Sequence, residues 1–206
     1  MPRAHTFPAA RFERFMSQPG DPINVTRFEM IVHTGTHVDA PRHFFLDGPA
    51  FDEIPLDRLH GPGLVLRVEV KAGGVIGVKD FERAADRIEP GDIVALDTGW
   101  SEKFGTEEYD INPSISVEAA QWLVDRGVTL LACDFATPDL ALPLRPPGFN
   151  WPVHHVLLSN GLLVCEHLRG VAPLSGKRVE FVFAALNICG SDGAPARVLA
   201  RPIEQG

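Results

Sequence analysis

Lys79-Asp80-Phe81-Glu82-Arg83-Ala84-Ala85-Asp86-Arg87-Ile88-Glu89-Pro90-Gly91-Asp92-Ile93-Val94-Ala95-Leu96-Asp97-Thr98 changes periodicity partway along. Phe81, Ala84, Ala85 and Ile88 fall at i, i+3, i+4 and i+7, the spacing of one helical face, so a helix is expected over Lys79 to Ile88. Pro90-Gly91 stops it, since proline lacks an amide donor and glycine favours a turn. Asp92 to Thr98 then reads as a strand.

The same order recurs on both sides. Leu64 to Val70 reads as a strand, with Leu64, Leu66, Val68 and Val70 on one face and Arg67 and Glu69 on the other. Downstream, a helix is expected near Val117 to Asp125, a stop at Gly127 and an apolar strand through Val128 to Ala132, with a further strand at Arg178 to Ala184. The prolines between Pro138 and Pro152 lack amide donors and restrict their predecessors, so that stretch is expected as a loop over the site. These elements make the fold class α/β, a mixed sheet with helices. No linker, repeat or low-complexity tract interrupts residues 1–206, so one domain is expected throughout.

Composition narrows the function classes. The 206 residues are 45% hydrophobic, enough for a core without disulfide staples. The formal net charge is −8 and no Lys/Arg block occurs, which argues against nucleic acid and membrane surfaces as partners. No apolar run approaches the roughly 18 residues of a membrane span. Cys133, Cys165 and Cys189 are odd in number and lack a C-x-x-C pair, so neither a disulfide framework nor a thiolate zinc knuckle fits. A cytoplasmic protein acting on a small-molecule substrate is the expectation.

Chemistry concentrates in His33-Thr34-Gly35-Thr36-His37-Val38-Asp39-Ala40-Pro41-Arg42-His43, which holds three of the eight histidines and a carboxylate. Relative to His33 the others lie at even spacings, so in extended backbone all four side chains point to one side, whereas a helix would scatter them. The β-branched Thr34, Thr36 and Val38, with Gly35 and Pro41, favour strand and loop. A straight strand at about 3.3 Å per residue would separate His33 from Asp39 by roughly 20 Å, so the chain must bend if they share one ion, and Gly35 permits it. Imidazole and carboxylate ligands suit Zn²⁺ or Mn²⁺, and three of them leave a coordination position for water. The bland reading of this run is a polar turn whose histidines only pack and hydrogen-bond. His154 and Glu166 form a second group, on a short helix ended near Gly161 and at the end of a strand Leu162 to Cys165; alone they are ordinary residues.

The run His33 to His43 resembles the H-x-G-T-H-x-D-x-P-x-H signature of the cyclase family, which includes bacterial kynurenine formamidases and isatin hydrolases. His154 and Glu166, twelve residues apart, resemble its second ligand pair, and Ser191-Asp192-Gly193-Ala194-Pro195-Ala196-Arg197 resembles its C-terminal segment. The chain lacks the usual N-terminal Asp-Leu-Ser strand and any tryptophan before Trp100. The resemblance implies a swivelling β/β/α fold and a homo-oligomer, dimer or tetramer. It further implies that His33, His37 and Asp39 hold one metal ion, that Asp39, His154 and Glu166 hold or bridge a second, and that His43 is the general acid/base. Zn²⁺ is the expected ion and Mn²⁺ the alternative, with one or two per subunit.

The expected activity is therefore metal-dependent hydrolysis of an amide, lactam or related C–N bond. Its rivals are a non-catalytic metal- or ligand-binding protein that keeps the fold, and cysteine nucleophile chemistry at Cys165 or Cys189. Phe44, Phe45, Trp100 and Trp151 are candidates for a pocket lining, with core packing the commoner role for each.

Overall fold

A computed structural model describes residues 7–203 of the chain. Its strands and α-helices, in order, are β1 (Arg11–Met16), β2 (Val25–Glu29), β3 (His37–Asp39), β4 (His60–Arg67), β5 (Val75–Ile76), α1 (Val78–Glu82), β6 (Ile93–Asp97), β7 (Ser114–Ile115), α2 (Val117–Asp125), β8 (Leu130–Ala132), α3 (Pro152–Ser159), β9 (Leu163–Glu166), β10 (Arg178–Ala185) and β11 (Gly193–Pro202). Seven of them close into a barrel in the order β10-β11-β3-β9-β8-β6-β4. β4, β6, β8 and β9 run parallel to their neighbours in that series, and β10, β11 and β3 complete the circle in antiparallel pairs.

The period of two along these strands separates two cores. Val38, Val65, Ile93, Ala95, Leu130, Ala132, Leu163, Cys165, Val179, Phe181, Phe183 and Ala194, drawn from all seven strands, fill the barrel interior. The alternate residues of the parallel strands, Leu64, Leu66, Val94, Leu96, Leu131 and Val164, pack outward with apolar residues of α1, α2 and α3. Burial of a large apolar side chain contributes about 1.5–3 kcal/mol, so both layers are substantial. Parallel strands covered on both faces read as near-continuous apolar runs, which is why β6 and β8 are conspicuous in sequence.

Local capping explains the ends of α2. Ser116 Oγ accepts a hydrogen bond from the Ala119 amide at the start, and Gly127 adopts φ 73° just past the end. The expected helix Lys79 to Ile88 is shorter: α1 stops at Glu82 and a separate 3-10 turn covers Ala85–Arg87. The guanidinium of Arg126 donates to the carbonyls of Ala85 and Ile88, while the Glu89 amide donates to Asp92 Oδ2. The helical bond from Glu89 back to Ala85 is thereby replaced. The expected strand Leu64 to Val70 ends instead at Arg67, and Val65 is as buried as its neighbours because a core lies on each face.

β1 and β2 form an antiparallel hairpin that the sequence reading leaves out. Phe12 and Phe28 stack with ring centroids 6.2 Å apart on its surface, and both remain more than half exposed. Among the described residues no helix is long and apolar enough to cross a membrane.

Candidate metal centre

β3 is three residues long and hydrogen-bonded on both edges, to β11 and to β9. Its middle residue Val38 points into the barrel, so the period of two sends His37 and Asp39 to the opposite side. Glu166 lies directly across from His37 on β9, and α3 brings His154 over the same face. His33 precedes β3 and returns to it through a turn at Gly35, whose φ of 73° suits glycine. His33 Nδ1 consequently lies 2.8 Å from Asp39 Oδ1, which is the bend the even spacing requires. Opposite Asp39 on β11 stands Gly193; a Cβ there would fall 2.8 Å from His33 Cε1 and 2.9 Å from the Val38 carbonyl. The imidazole occupies the space that glycine leaves.

Two overlapping groups of donor atoms result, each with all its atoms within 4.8 Å of one another: His33, His37 and Asp39, then Asp39, His154 and Glu166. His37 Nε2 is 3.2 Å from Asp39 Oδ1 and 3.5 Å from Glu166 Oε2, and His154 Nε2 is 3.4 Å from Asp39 Oδ2 and 3.3 Å from Glu166 Oε1. Each of the three imidazoles has its other nitrogen tied to an acceptor outside its donor group. His37 Nδ1 meets the Gly35 carbonyl at 2.8 Å, His154 Nδ1 meets Asp139 Oδ2 at 2.6 Å, and His33 Nε2 meets Asp192 Oδ2 at 2.9 Å. Such outer partners fix the ring orientation and leave one nitrogen turned inward, as metal-ligating histidines require. His37 Nε2 and Asp39 Oδ2 are buried and make no hydrogen bond among the described residues, a costly state that a cation between them relieves. The donor set therefore fits a divalent ion.

A third group sits at the rim. Asp192 Oδ2 is 3.2 Å from His43 Nδ1 as well as bonded to His33, and the His33 and His43 rings stack at 3.9 Å. His43 lies on a 3-10 turn, Pro41–His43, rather than on extended chain, and stays partly exposed. Burial disfavours charge on His33, but its hydrogen bonds to Asp192 and Asp39 prevail and raise its pKa to about 10. His154 shifts upward for the same balance, burial being outweighed by its hydrogen bond to Asp139 and by the neighbouring carboxylates of Asp39 and Glu166. Burial also opposes the ionised form of Asp39, yet the charge of His37, the nearby His154 imidazole and the hydrogen bond from His33 hold its carboxyl well below the usual range. Carboxylates thus dominate the field, which favours positive charge in the cluster.

Asp139 lies outside every motif read in the sequence, and Asp192 enters there only as part of the segment Ser191 to Arg197, with no role; the structure places both at the site. Asp139 is fully buried, accepts the amides of Val153 and His154 besides the His154 ring, and thereby anchors the start of α3. Another unforeseen pair is Tyr109 and His167, joined at 2.7 Å beside Glu166, where burial pushes His167 down to about 4. Cys165 lies inside the barrel with its thiol pushed well up by burial, and Cys189 is exposed on the surface. Neither is among the described residues that line the cleft over the donors.

That cleft spans about 750 Å³ including its solvent-filled mouth. His33, His43, His154 and Glu166 form its polar floor, while Phe44, Leu142 and Trp151 supply apolar wall. Phe44 stacks on His154 at 4.8 Å and meets Trp151 edge-on at 6.2 Å. Of the four aromatic candidates, Phe44 and Trp151 reach the cleft. Phe45 packs against the outer core without lining it, and Trp100 is buried in that core with its indole N–H on the Tyr109 carbonyl.

Comparison with known proteins agrees with this geometry. Residues 2–140 match the family model described as putative cyclase. The chain is 34% identical over 188 residues to the kynurenine formamidase of Salinibacter ruber, covering 87% of this chain and 80% of the relative. A solved structure described as a potential metal-dependent hydrolase with cyclase activity superposes with a TM-score of 0.77 at 27% identity, over 100% of this chain and 96% of the other. Isatin hydrolase A from Ralstonia solanacearum shares the fold, with a TM-score of 0.83 at 23% identity over 97% and 85% of the two chains. With its signature run folded around one buried carboxylate and its match over most of the chain, this protein belongs to the cyclase family of metal-dependent hydrolases.

Proposed function

We propose that the protein, acting as one unit over residues 1–206, hydrolyses the C–N bond of an aryl amide of the formamide type, with His33, His37, Asp39, His154 and Glu166 as metal ligands and His43 as the proton-transfer residue. The observation that carries this reading is the shared orientation of three imidazoles, each pinned at one nitrogen and turned by the other toward Asp39 or Glu166. A divalent ion bound there supplies Lewis acidity, which polarises a carbonyl and lowers the pKa of water toward about 7. Zn²⁺ is the ion we favour and Mn²⁺ the alternative, since imidazole and carboxylate donors suit both.

Asp192 holds His43 Nδ1, which leaves Nε2 as the nitrogen that takes the proton of the attacking water and returns it to the departing amine. Phe44 and Trp151 provide the flat apolar surface that an aromatic leaving group needs, in line with the formamidase among the relatives. The exposed aromatics of the β1–β2 hairpin support a homo-oligomer, and the unpaired cysteines a reducing, cytoplasmic setting.

The test is metal content of the purified protein together with hydrolysis of N-formylkynurenine and isatin, before and after chelation and return of metal. Turnover of the formamide that disappears with chelation and returns with metal is expected. Bound metal with no hydrolysis of either compound would overturn the proposed substrate class.

A further inference from the structure

The Pro-rich segment between Pro138 and Pro152 contributes Arg145 to the wall of the cleft, beside the side chains that face the donor cluster. Its guanidinium is held in place from three directions. Nε donates to the Leu140 carbonyl at 2.7 Å, and the guanidinium carbon lies 5.0 Å from the Phe149 ring and 5.2 Å from the Trp151 ring. The two terminal nitrogens form no ion pair among the described residues, although the group is half-buried. Burial works against its charge, and the carboxylates of Asp139 and Glu166 are near enough to favour it, which places Arg145 within the field of the donor cluster. A fixed, partly desolvated guanidinium with its outer fork unpaired, stacked between two aromatic rings at the cleft wall, matches a planar anion in two parallel hydrogen bonds.

We infer that Arg145 is a carboxylate subsite, so that the preferred substrate is an aryl amide bearing a carboxylate on a side chain of its ring. This rests on the hydrolase reading above and narrows it: a neutral lactam lacks the group that Arg145 recognises, whereas an amide with an amino-acid tail carries it. Arg145 acts on specificity and leaves the reacting atoms to the donor cluster and His43.

The experiment compares N-formylkynurenine with ortho-formamidoacetophenone, the same aryl formamide without the charged tail, in the metal-loaded wild-type protein and in Arg145→Gln and Arg145→Lys. The wild type is expected to prefer the carboxylate by about 10- to 100-fold in kcat/KM, because a charge-assisted bidentate pair is lost on the neutral compound. Arg145→Gln is expected to remove that preference by lowering kcat/KM for the anionic substrate alone, and Arg145→Lys to restore part of it. Equal losses on both substrates would mean that Arg145 only props the loop, and would overturn the inference. Calorimetric titration with kynurenine, whose carboxylate survives the reaction, decides the matter without turnover. Binding about tenfold weaker in Arg145→Gln supports the subsite, and equal affinity or no binding to the wild type overturns it. Weaker binding with no hydrolysis of either formamide would instead overturn the hydrolase reading and leave the subsite standing.

Discussion

Asp39 stands between two groups that differ in almost every physical respect. On its inner side His154 and Glu166 are buried, and the Nδ1 of His154 is locked by the fully buried Asp139. On its outer side His43 and Asp192 keep 27% and 44% of their side-chain surface, and one carboxylate oxygen of Asp192 serves both His33 and His43. The inner group has satisfied outer bonds and inward atoms in want of a cation, which suits a held ion. The rim group touches water and can relax, which suits a residue that must exchange protons during each cycle. Asp39 and His43 come from one contiguous run, while the partners that set the two sides apart, His154, Glu166 and Asp192, reach it from elsewhere in the chain.

Several substitutions break or sharpen this contrast. Asp39→Asn, which weakens both donor groups together, is expected to reduce bound metal to background and turnover with it, as read by elemental analysis and assay. Full metal occupancy in that variant would remove Asp39 from the centre. His43→Gln is expected to lower turnover by about 10²- to 10⁴-fold while metal content stays that of the wild type; parallel loss of metal would erase the distinction between the two sides. Asp139→Asn should act the opposite way, weakening metal affinity by about 10- to 100-fold, measured by competition with a chelator. Unchanged affinity there would show that the inner imidazole needs no anchor.

The smallest effect is a slope. In the metal-free protein His33 keeps its proton up to about pH 10, so metal must displace a proton at neutral pH. Affinity should therefore rise with pH below that point, by about tenfold per unit for each proton released, and fall as the solution is acidified. A flat profile between pH 6 and 8 would mean that His33 is not among the ligands.

How much of this was legible depended on distance along the chain. The run His33 to His43 declares itself because its groups are close in sequence, and the helix at Val117 to Asp125 because its cap and stop are local. Asp192 meets His33 across 159 residues and Asp139 meets His154 across 15, so neither carries a sign of its role until the barrel closes β11 against β3 and the loop turns under α3. The overextended helix at Lys79 has the same cause, since Arg126 reaches its Ala85 carbonyl from 41 positions away. The β1–β2 hairpin escaped notice for a different reason: its strands are mostly exposed, so no alternation of apolar and polar residues marks a buried face.

Closure of the barrel also has a bearing on how such an enzyme can diversify. β3 and β9, which carry His37, Asp39 and Glu166, are paired on both edges, so a change in one of these strands is felt by its neighbours around the ring. Arg145 and Trp151 belong to a segment outside that ring, held by local contacts with Leu140, Phe149 and Phe44 rather than by strand pairing. Descendants of one ancestor can accordingly vary the outer part of that segment and acquire a new diet, provided that Asp139 at its start still anchors His154.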